Sequence, residues 1–258
     1  MRGSAAIGKI GHRVTEIPLL ITSAIGVVAD RTKVVDIDAR IKWTLHAVSM
    51  WQQLNPASRI VLCDGSGIDL RERLDREPAL ARNVEFIGFQ NDFAQVKTFG
   101  KGRGEGEIIN YALDNSAYLA EANVFCKCTG KLWVENHQSF IRARRGHFSF
   151  DYYGWVLPQR VDTRYYVASK REFCEVLRHA YLNVDEAKGT DLETAYARAL
   201  RSTELKDYVS SVVPLIRGLS GSMGVQYSPS RSRALLKGMR NKLVRALLGR
   251  TANDARTT

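Results

Sequence analysis

Hydrophobic and polar positions alternate along the chain in blocks, and the blocks predict strands and helices in turn. Short apolar runs bounded by glycine, proline or polar residues are typical of buried strands. The strands that these runs predict are residues 19–28, 59–63, 84–89 and 123–130. Apolar residues at helical spacing predict a helix over 37–54, which Pro56 ends, and a second from about 105 to 119.

This alternation predicts an α/β fold, with a mostly parallel sheet over residues 17–135 and helices on both faces. Right-handed crossovers bring the strand-end loops of such a sheet to one edge, where ligands bind. The loops that we expect there are 64–67, 100–106 and 127–131.

The second half of the chain is less regular. Residues 136–168 are rich in aromatic and basic side chains, and helices are predicted over about 169–182 and 190–202. We expect a loose lead-in over 1–16, a single domain over 17–228 and a separate tail over 229–258.

The tail holds most of the excess positive charge. Residues 231–258 contain eight basic residues and one acidic residue, which is +7 of a net charge of +11. Leucines recur there at helical spacing and predict a short basic amphipathic helix with Gly249 as its C-cap. Three partners are open: an anionic membrane surface through residues 231–250, the domain itself with the leucines packed inward, or nucleic acid. Because the tail lacks aromatic residues for base stacking, nucleic acid is the least favoured.

Other features limit the cellular setting. The longest apolar run, residues 17–29, is shorter than the roughly 20 residues that span a bilayer. It fits a buried first strand, although a signal-peptide core is an alternative because basic residues precede it. Four scattered cysteines without a zinc-site spacing indicate a reducing compartment.

The strongest local motif is a glycine-rich segment just before the second predicted helix. Four glycines alternate with charged residues in Gly100-Lys101-Gly102-Arg103-Gly104-Glu105-Gly106. Glycines let the backbone approach a ligand, and a helix N-terminus attracts phosphate. The segment matches neither a P-loop nor the dinucleotide fingerprint. A flexible helix lead-in is the alternative.

Two lysines flank a Thr-Gly turn at the end of the fourth predicted strand, in Lys127-Cys128-Thr129-Gly130-Lys131. A lysine in an apolar run is costly unless its ammonium group meets a partner. That partner is either a phosphate group of a ligand or a neighbouring carboxylate.

Together these motifs resemble the nucleotide-sugar glycosyltransferases of the GT-A fold, over roughly residues 17–200. Asp64-Gly65-Ser66-Gly67 follows the second strand as the polar strand end does in that family, and the glycine turn precedes a helix with Asn110. The Lys101–Glu105 and Lys127–Lys131 motifs are similar to those of small bacterial transferases of capsule and O-antigen synthesis. The resemblance implies a nucleotide-sugar half over 17–135 and an acceptor half over 136–228.

The resemblance also implies which residues bind the donor. Asp64 would bind the nucleobase or ribose, with a turn-forming role as its alternative. Arg40 would face the same pocket, with an exposed ion pair to Asp36 as its alternative. The residues expected to line the sugar diphosphate are Lys101, Gly102, Arg103, Gly104, Glu105, Lys127, Thr129, Gly130 and Lys131. Glu105 has the alternative role of a favourable charge in the first helical turn.

The sequence departs from the family at the metal site. Many GT-A enzymes end the fourth strand in Asp-x-Asp, which holds Mn²⁺ or Mg²⁺ on the donor diphosphate; here Lys127–Lys131 occupies that position. We therefore expect no required cofactor and no metal ligands, because the lysines would stabilise the leaving phosphate. The alternative is Mn²⁺ or Mg²⁺ held by a distant carboxylate.

An inverting transfer needs a base for the acceptor hydroxyl. Asp162, between apolar and aromatic residues, is the first candidate, followed by Asp151 and Glu193; a structural role is open for each. We expect His147 and Arg164 at the acceptor, since the aromatic and basic residues 142–166 suit a sugar. The alternatives are a surface histidine and an irregular lobe of core and rim residues.

The sequence thus predicts a glycosyltransferase that moves a sugar from a nucleotide-sugar donor to a glycan or lipid-linked glycan, in bacterial surface polysaccharide synthesis. We expect it in the cytoplasm, peripheral on the inner face of the cell membrane, without a nucleic-acid partner. The rivals are a nucleic-acid-binding protein and a nucleotidyltransferase with the same sheet. Residues 1–230 carry only +4, which disfavours the first, and the missing acidic pair disfavours the second.

Overall fold

A computed structural model describes residues 17–26, 36–220 and 224–254. The strands are β1 (Leu19–Ser23), β2 (Ile60–Asp64), β3 (Val84–Gly88), β4 (Val124–Thr129), β5 (Leu132–Val134), β6 (Phe148–Tyr153), β7 (Arg160–Ser169), β8 (Ile216–Leu219) and β9 (Gln226–Tyr227). The helices are α1 (Ile37–Leu54), α2 (Arg71–Asp75), α3 (Pro78–Ala81), α4 (Phe93–Phe99), α5 (Lys101–Asn115), α6 (Ala117–Ala120), α7 (His137–Arg142), α8 (Lys170–Glu172), α9 (Leu192–Ala199), α10 (Leu205–Tyr208) and α11 (Arg231–Asp254). A π-helical turn, Phe173–Leu177, and 3₁₀ turns at Ala180–Asn183, Glu186–Lys188 and Leu200–Ser202 complete the secondary structure.

Six strands form the main sheet in the order β3-β2-β1-β4-β7-β6. The first four are parallel to one another, and β7 and β6 are antiparallel additions at the β4 side. The chain therefore crosses the sheet between β3 and β4, and the carboxyl ends of β1, β2 and β4 meet at one edge. Because β7 runs the other way, its first residues lie at that same edge.

Helices cover both faces of the sheet and enclose two apolar cores. On one face, α5 and α9 pack over inward-facing residues of the sheet, among them Val61, Phe125 and Tyr166. On the other, α1 places Trp51 against residues such as Leu62 and Cys126. The indole Nε1 of Trp51 donates to the Leu132 carbonyl at 2.9 Å, so α1 also holds the chain just after β4.

The predicted α/β class, with a mostly parallel sheet between helices, is confirmed. The strands lie where the apolar runs indicated, and α1 occupies the predicted 37–54. The first strand ends at Ser23; residues 27–35, like the lead-in 1–16, lie outside the described residues. The helices predicted at 169–182 and 190–202 are interrupted, by the π-helical turn and by 3₁₀ turns.

The prediction of a glycine-rich turn over 100–106 is wrong. Gly100 has φ +104° and separates α4 from α5, and every later glycine of the segment lies inside α5. The second predicted helix therefore begins at Lys101, not near Glu105. Close packing explains the glycines: a Cβ on Gly104 would lie 2.8 Å from Asn91 Nδ2, and one on Gly106 would overlap the Tyr181 side chain.

The aromatic second half is mostly a hairpin within the main sheet. Strands β6 and β7 pair antiparallel, with a register irregularity between Phe150 and Tyr152, and bury both of those rings. The buried rings of this hairpin fit the alternative of core residues. The exception is the loop between the two strands, where Trp155 is 89% exposed. The expectation that residues 142–166 receive a sugar acceptor stays a prediction.

The tail forms α11, whose orientation differs from the alternative with inward leucines. The helix packs on the domain through Gly238, Asn241 and Val244, and leaves Leu235, Leu236, Leu243 and Leu247 exposed. It continues to Asp254, so Gly249 is not its C-cap. No helix among the described residues is long and apolar enough to cross a membrane.

Candidate active site

A buried ion pair stands at the carboxyl edge of the main sheet. Lys127, fully buried on β4, contacts the Glu105 carboxylate near the start of α5. Its ammonium group also donates to Thr129 Oγ1 at 2.9 Å and to the Thr163 carbonyl at 2.7 Å. The Lys127 ammonium group, which has three protons to donate, is thus satisfied within the protein.

Glu105 is equally well satisfied. Its Oε1 accepts from the hydroxyls of Thr129 at 2.9 Å and Thr22 at 3.2 Å, in addition to Lys127. Burial opposes ionisation, but Lys127 and the two hydroxyls hold the pKa of Glu105 below its usual range. The network ties β1, β4, β7 and α5 together at the point where the strands end.

In the structure the charge of Lys127 is neutralised by Glu105, which fits the carboxylate alternative. The expectation that Lys127 binds a donor phosphate stays a prediction, and so do the donor-binding roles of Glu105, Thr129 and Gly130. These residues set the geometry of the edge: the Gly130 amide, for example, donates to the Thr22 carbonyl at 2.6 Å.

The first residues of α5 do not form an open phosphate cradle. The Gly102 amide donates to Glu186 Oε1 at 2.9 Å, so a carboxylate of the protein already occupies the helix N-terminus. Gly104 faces Asn91. Arg103 is buried with its guanidinium 4.4 Å from the Phe99 ring centre, and Lys101 is exposed at the first position of the helix. These contacts do not favour the donor-binding roles expected of Lys101, Gly102, Arg103 and Gly104, which stay predictions.

Asp64 fastens two strand ends to each other. Its Oδ2 accepts from the Ile25 amide at 3.0 Å, and its Oδ1 from the Ser66 amide at 2.9 Å. The second bond is the Asx turn that sequence reasoning held as the alternative. The carboxylate is completely buried and holds the segment after β1 beside the segment after β2.

Two buried cations lie beside this single carboxylate. Arg40 projects from the inward face of α1 and donates to the Ala24 carbonyl; it is 6% exposed, so an exposed ion pair is the wrong description. Lys131 follows β4 in a left-handed conformation with φ +69° and is 5% exposed. The charges of Arg40 and Asp64 both act on the pKa of Lys131, and the charge of Asp64 acts on that of Arg40.

The Lys131 ammonium group has no hydrogen bond among the residues that the structure describes. Burial and then the charge of Arg40 lower its pKa to about 8, while Asp64 opposes the shift. At neutral pH the cluster therefore carries two positive charges and one negative charge in a desolvated place. An anion is the ligand that balances it.

The predicted acid–base candidates lie at the β7 side of the same edge. Asp162 is buried and accepts from Arg164 Nε at 2.9 Å and from the Tyr153 hydroxyl at 3.1 Å. Burial opposes ionisation, but the Arg164 guanidinium holds its pKa below the usual range. A carboxylate held in this way is a weak base, so the structure favours the structural alternative for Asp162, and its role as the base stays a prediction. Arg164 pairs with Asp162 and keeps 28% exposure of its side chain, so its acceptor role also stays a prediction.

Asp151 is committed to the tail helix. Its Oδ2 accepts from Lys237 Nζ at 2.6 Å. Burial raises its pKa, Lys237 opposes the shift, and the nearby charge of Asp162 adds to it. Asp151 thus joins α11 to the sheet, which accounts for its burial without a catalytic role.

Glu193 is the one of the three candidates with the properties of a base. It lies in the first turn of α9, and its Oε1 accepts from Thr163 Oγ1 at 3.1 Å. Burial raises its pKa, and the charges of Asp191 and Glu105 add to the shift. Its side chain keeps 26% exposure, so it remains open to a substrate.

His147 is not part of this edge. It pairs with Glu172, with 3.1 Å between Nδ1 and Oε1, and its side chain is 56% exposed. Strand β6 begins beside it, at the end opposite to Tyr153. The surface alternative therefore describes its position, and its acceptor role stays a prediction.

Sequence reasoning missed several residues that build the edge. Thr22 and Thr163 come from strand interiors, where a threonine is ordinary, and Glu186 caps α5 from a distant 3₁₀ turn. Arg160 contacts Asp191 and lies 3.8 Å from Glu193 Oε2. Only the placement of the second half against α5 and β4 brings these groups together.

Among the described residues, the site shows no evident metal-binding centre. Within the described ranges there is no group of three or more histidine, cysteine, aspartate or glutamate side chains with metal-site geometry. The expectation of metal independence stays a prediction, and chelation tests it.

Solved structures similar to this chain include sugar-transferring enzymes. GlyE, a glycosyltransferase of Streptococcus pneumoniae TIGR4, is 10% identical with a TM-score of 0.48, covering 75% of this chain and 45% of its own. LgtC is 10% identical with a TM-score of 0.46, covering 70% and 69%. A protein described as a glucose-1-phosphate thymidylyltransferase of Bacillus anthracis is 8% identical with a TM-score of 0.48, covering 89% and 95%.

The chain spans less than half the length of GlyE. No protein-family model matches the sequence, and no curated protein matches it significantly. The function has to be argued from the chain's own edge residues.

Proposed function

We propose that the protein is a glycosyltransferase that takes a sugar from a nucleotide-sugar donor. The observation that carries the proposal is the cluster of Lys131, Arg40 and Asp64 at the carboxyl edge of a mostly parallel sheet. Ligands of open α/β sheets bind at this edge, where the strand order changes direction. Here the change lies between β1 and β4, and Lys131 directly follows β4.

A diphosphate is the anion that suits this cluster. Its negative charge compensates Arg40 and Lys131, and Lys131 has a hydrogen-bond donor to give it. The cluster also stabilises the nucleoside diphosphate as it departs from the sugar. Metal ions serve that purpose in many transferases, and the two buried cations serve it here without a metal.

The β7 side of the edge is the acceptor side in this proposal. Glu193 accepts the proton of the acceptor hydroxyl in an inverting transfer, since its raised pKa keeps it basic enough to take that proton at neutral pH. Thr163 orients it through the 3.1 Å hydrogen bond. The Lys127–Glu105 pair lies between the two sides and keeps them in register.

The finer parts of the proposal concern the setting. We infer a glycan or lipid-linked glycan acceptor, a place in bacterial surface polysaccharide synthesis, and a cytoplasmic enzyme peripheral on the membrane through residues 231–250. The motif resemblance and the basic tail support these inferences.

A panel of UDP-, GDP- and CMP-sugars tests the function. A ligand that binds only the native state raises the melting temperature. We expect at least one nucleotide sugar to do so, in the presence of EDTA, and to be hydrolysed or transferred. Stabilisation by nucleoside triphosphate and sugar phosphate alone, with Mg²⁺ required, would favour a nucleotidyltransferase instead.

A further inference from the structure

The outer face of α11 is unusually apolar for an exposed helix. Its large hydrophobic side chains are each between 56% and 68% exposed: Leu235, Leu236, Met239, Leu243 and Leu247. Their spacing places them in one stripe along the helix. A contiguous exposed stripe of this kind marks an interaction surface.

The domain fixes the direction in which this stripe points. From the opposite side of α11, Lys237 donates to Asp151 at 2.6 Å and the Asn241 amide donates to the Ser210 carbonyl at 2.9 Å. Val244 is buried beside them. Because α11 packs on the domain through its polar side, the domain holds the leucines of the stripe facing outward.

A second apolar element adjoins the stripe. The loop between β6 and β7 exposes Trp155 by 89%, Val156 by 54% and Leu157 by 60%. Arg240 of α11 donates to the Gly154 carbonyl at 2.9 Å, which holds the base of this loop against the helix. On a helix, Arg240 is the neighbour of residues 236 and 243, so the loop lies along the leucine stripe.

Positive charge borders the stripe on both flanks. Arg231 and Lys242 lie on one side of it by helical geometry and Arg233 on the other, and all three are exposed. A second copy of the chain on the same face would bring like charges together. An anionic surface would instead be attracted to both flanks at once.

We propose that α11 and the Trp155 loop form one docking face for an anionic lipid bilayer. The docking face consists of the five stripe residues of α11 with Trp155, Val156 and Leu157. Its apolar side chains enter the interfacial layer, where a tryptophan ring is especially favourable, and the flanking cations contact lipid headgroups. The β6–β7 loop thus acts as a membrane anchor together with the helix.

The docking face also indicates where the acceptor comes from. This second inference rests on the proposed function. Tyr153, at the base of the loop, hydrogen-bonds Asp162 on the acceptor side of the edge. A bilayer in contact with Trp155 therefore lies next to the side that receives the sugar. An acceptor carried on a lipid reaches Glu193 from that bilayer.

Vesicle sedimentation tests the docking without donor or acceptor. Wild-type protein is mixed with vesicles of phosphatidylcholine alone, or with about one third phosphatidylserine. We expect binding to the anionic vesicles, weakened by about tenfold or more in Trp155→Ser, in Leu236→Ser/Leu243→Ser and in Arg231→Gln/Arg233→Gln/Lys242→Gln. Leu182→Ser, which changes a leucine 50% exposed elsewhere, is the matched control and should bind as wild type does.

Tryptophan quenching by brominated lipids reports on Trp155 itself. We expect quenching in wild type that Trp155→Phe abolishes while binding persists, because Trp51 is buried, Trp133 is partly buried and Trp43 is only 36% exposed. Equal binding by all variants, or none to anionic vesicles, would overturn the proposal. So would a wild-type dimer in ultracentrifugation that Leu236→Ser/Leu243→Ser dissociates. A nucleotide-sugar melting shift, measured in parallel, separates failure of docking from failure of the proposed function.

Discussion

Lys127 on β4 and Glu105 on α5 form a buried ion pair at the edge where the parallel strands end. The hydroxyls of Thr22 and Thr129 donate to the same carboxylate, so the Lys127 charge is compensated within the protein. In the proposed function, the positive charge that meets the donor comes chiefly from Lys131. The pair is thus a scaffold between the donor side and the acceptor side.

This role predicts a large loss of stability in Lys127→Met. Removing one partner of a buried pair leaves the other charge uncompensated, which costs about 3–5 kcal/mol. Urea denaturation should show that loss in the free energy of unfolding. The double variant Lys127→Met/Glu105→Gln should recover much of it, and a double variant no better than the single one would contradict the pairing.

The glycines of α5 lead to a packing prediction. Gly104→Ala and Gly106→Ala should each lower the free energy of unfolding by about 1–3 kcal/mol, because their Cβ atoms would collide with Asn91 and Tyr181. Nucleotide-sugar affinity should change little in any variant that stays folded. A selective loss of affinity at unchanged stability would restore the idea of a phosphate loop.

Lys131 gives a pH-dependent stability. Its folded pKa of about 8 lies below the ordinary lysine value, so the charged form destabilises the native state below pH 8. The penalty is lost as pH rises from about 8 to about 10.5, where the unfolded chain binds the extra proton. Across that window the free energy of unfolding of the wild type should rise relative to that of Lys131→Met. If the two proteins give parallel curves of stability against pH, the burial of this cation is contradicted.

Variants of Glu193 and Asp162 test which of the two carboxylates is the base. Glu193→Gln should lower kcat by about 10²- to 10⁴-fold with donor affinity unchanged. Wild-type turnover should fall as pH drops through the raised pKa of Glu193, since only the carboxylate accepts a proton. Asp162→Asn should chiefly lower stability by freeing Arg164. The reverse pattern, with turnover lost only in Asp162→Asn, would move the base back to Asp162.

Much of the fold was predictable because local signals and tertiary structure agree. The apolar runs at 59–63 and 84–89 match β2 and β3, and helical spacing predicts α1 to the residue. The glycine segment misled because glycines that serve close helix packing look, in sequence, like glycines of a ligand loop. Their distinguishing partner, Tyr181, lies 75 residues further along the chain.

The site was predictable in part for the same reason. Asp64, Arg40 and Lys131 were all expected at the edge, and they do lie together there. Lys127 was grouped with Lys131 because the two are neighbours in sequence. Only the position of Glu105 shows that the charge of Lys127 is neutralised and that the charge of Lys131 is not. The hairpin β6–β7 was missed because its strands are rich in charged and aromatic residues and because β7 pairs with β4, far from it in sequence.

Titration of the best nucleotide sugar against Lys131→Met is the most direct test of the central claim. Calorimetry at pH 7 in EDTA should show binding to wild type and to Lys97→Met, a control that removes an exposed lysine of α4. Lys131→Met should bind about 10-fold more weakly or worse, because it lacks a desolvated charge–phosphate contact. Equal affinity in all three proteins would contradict the account.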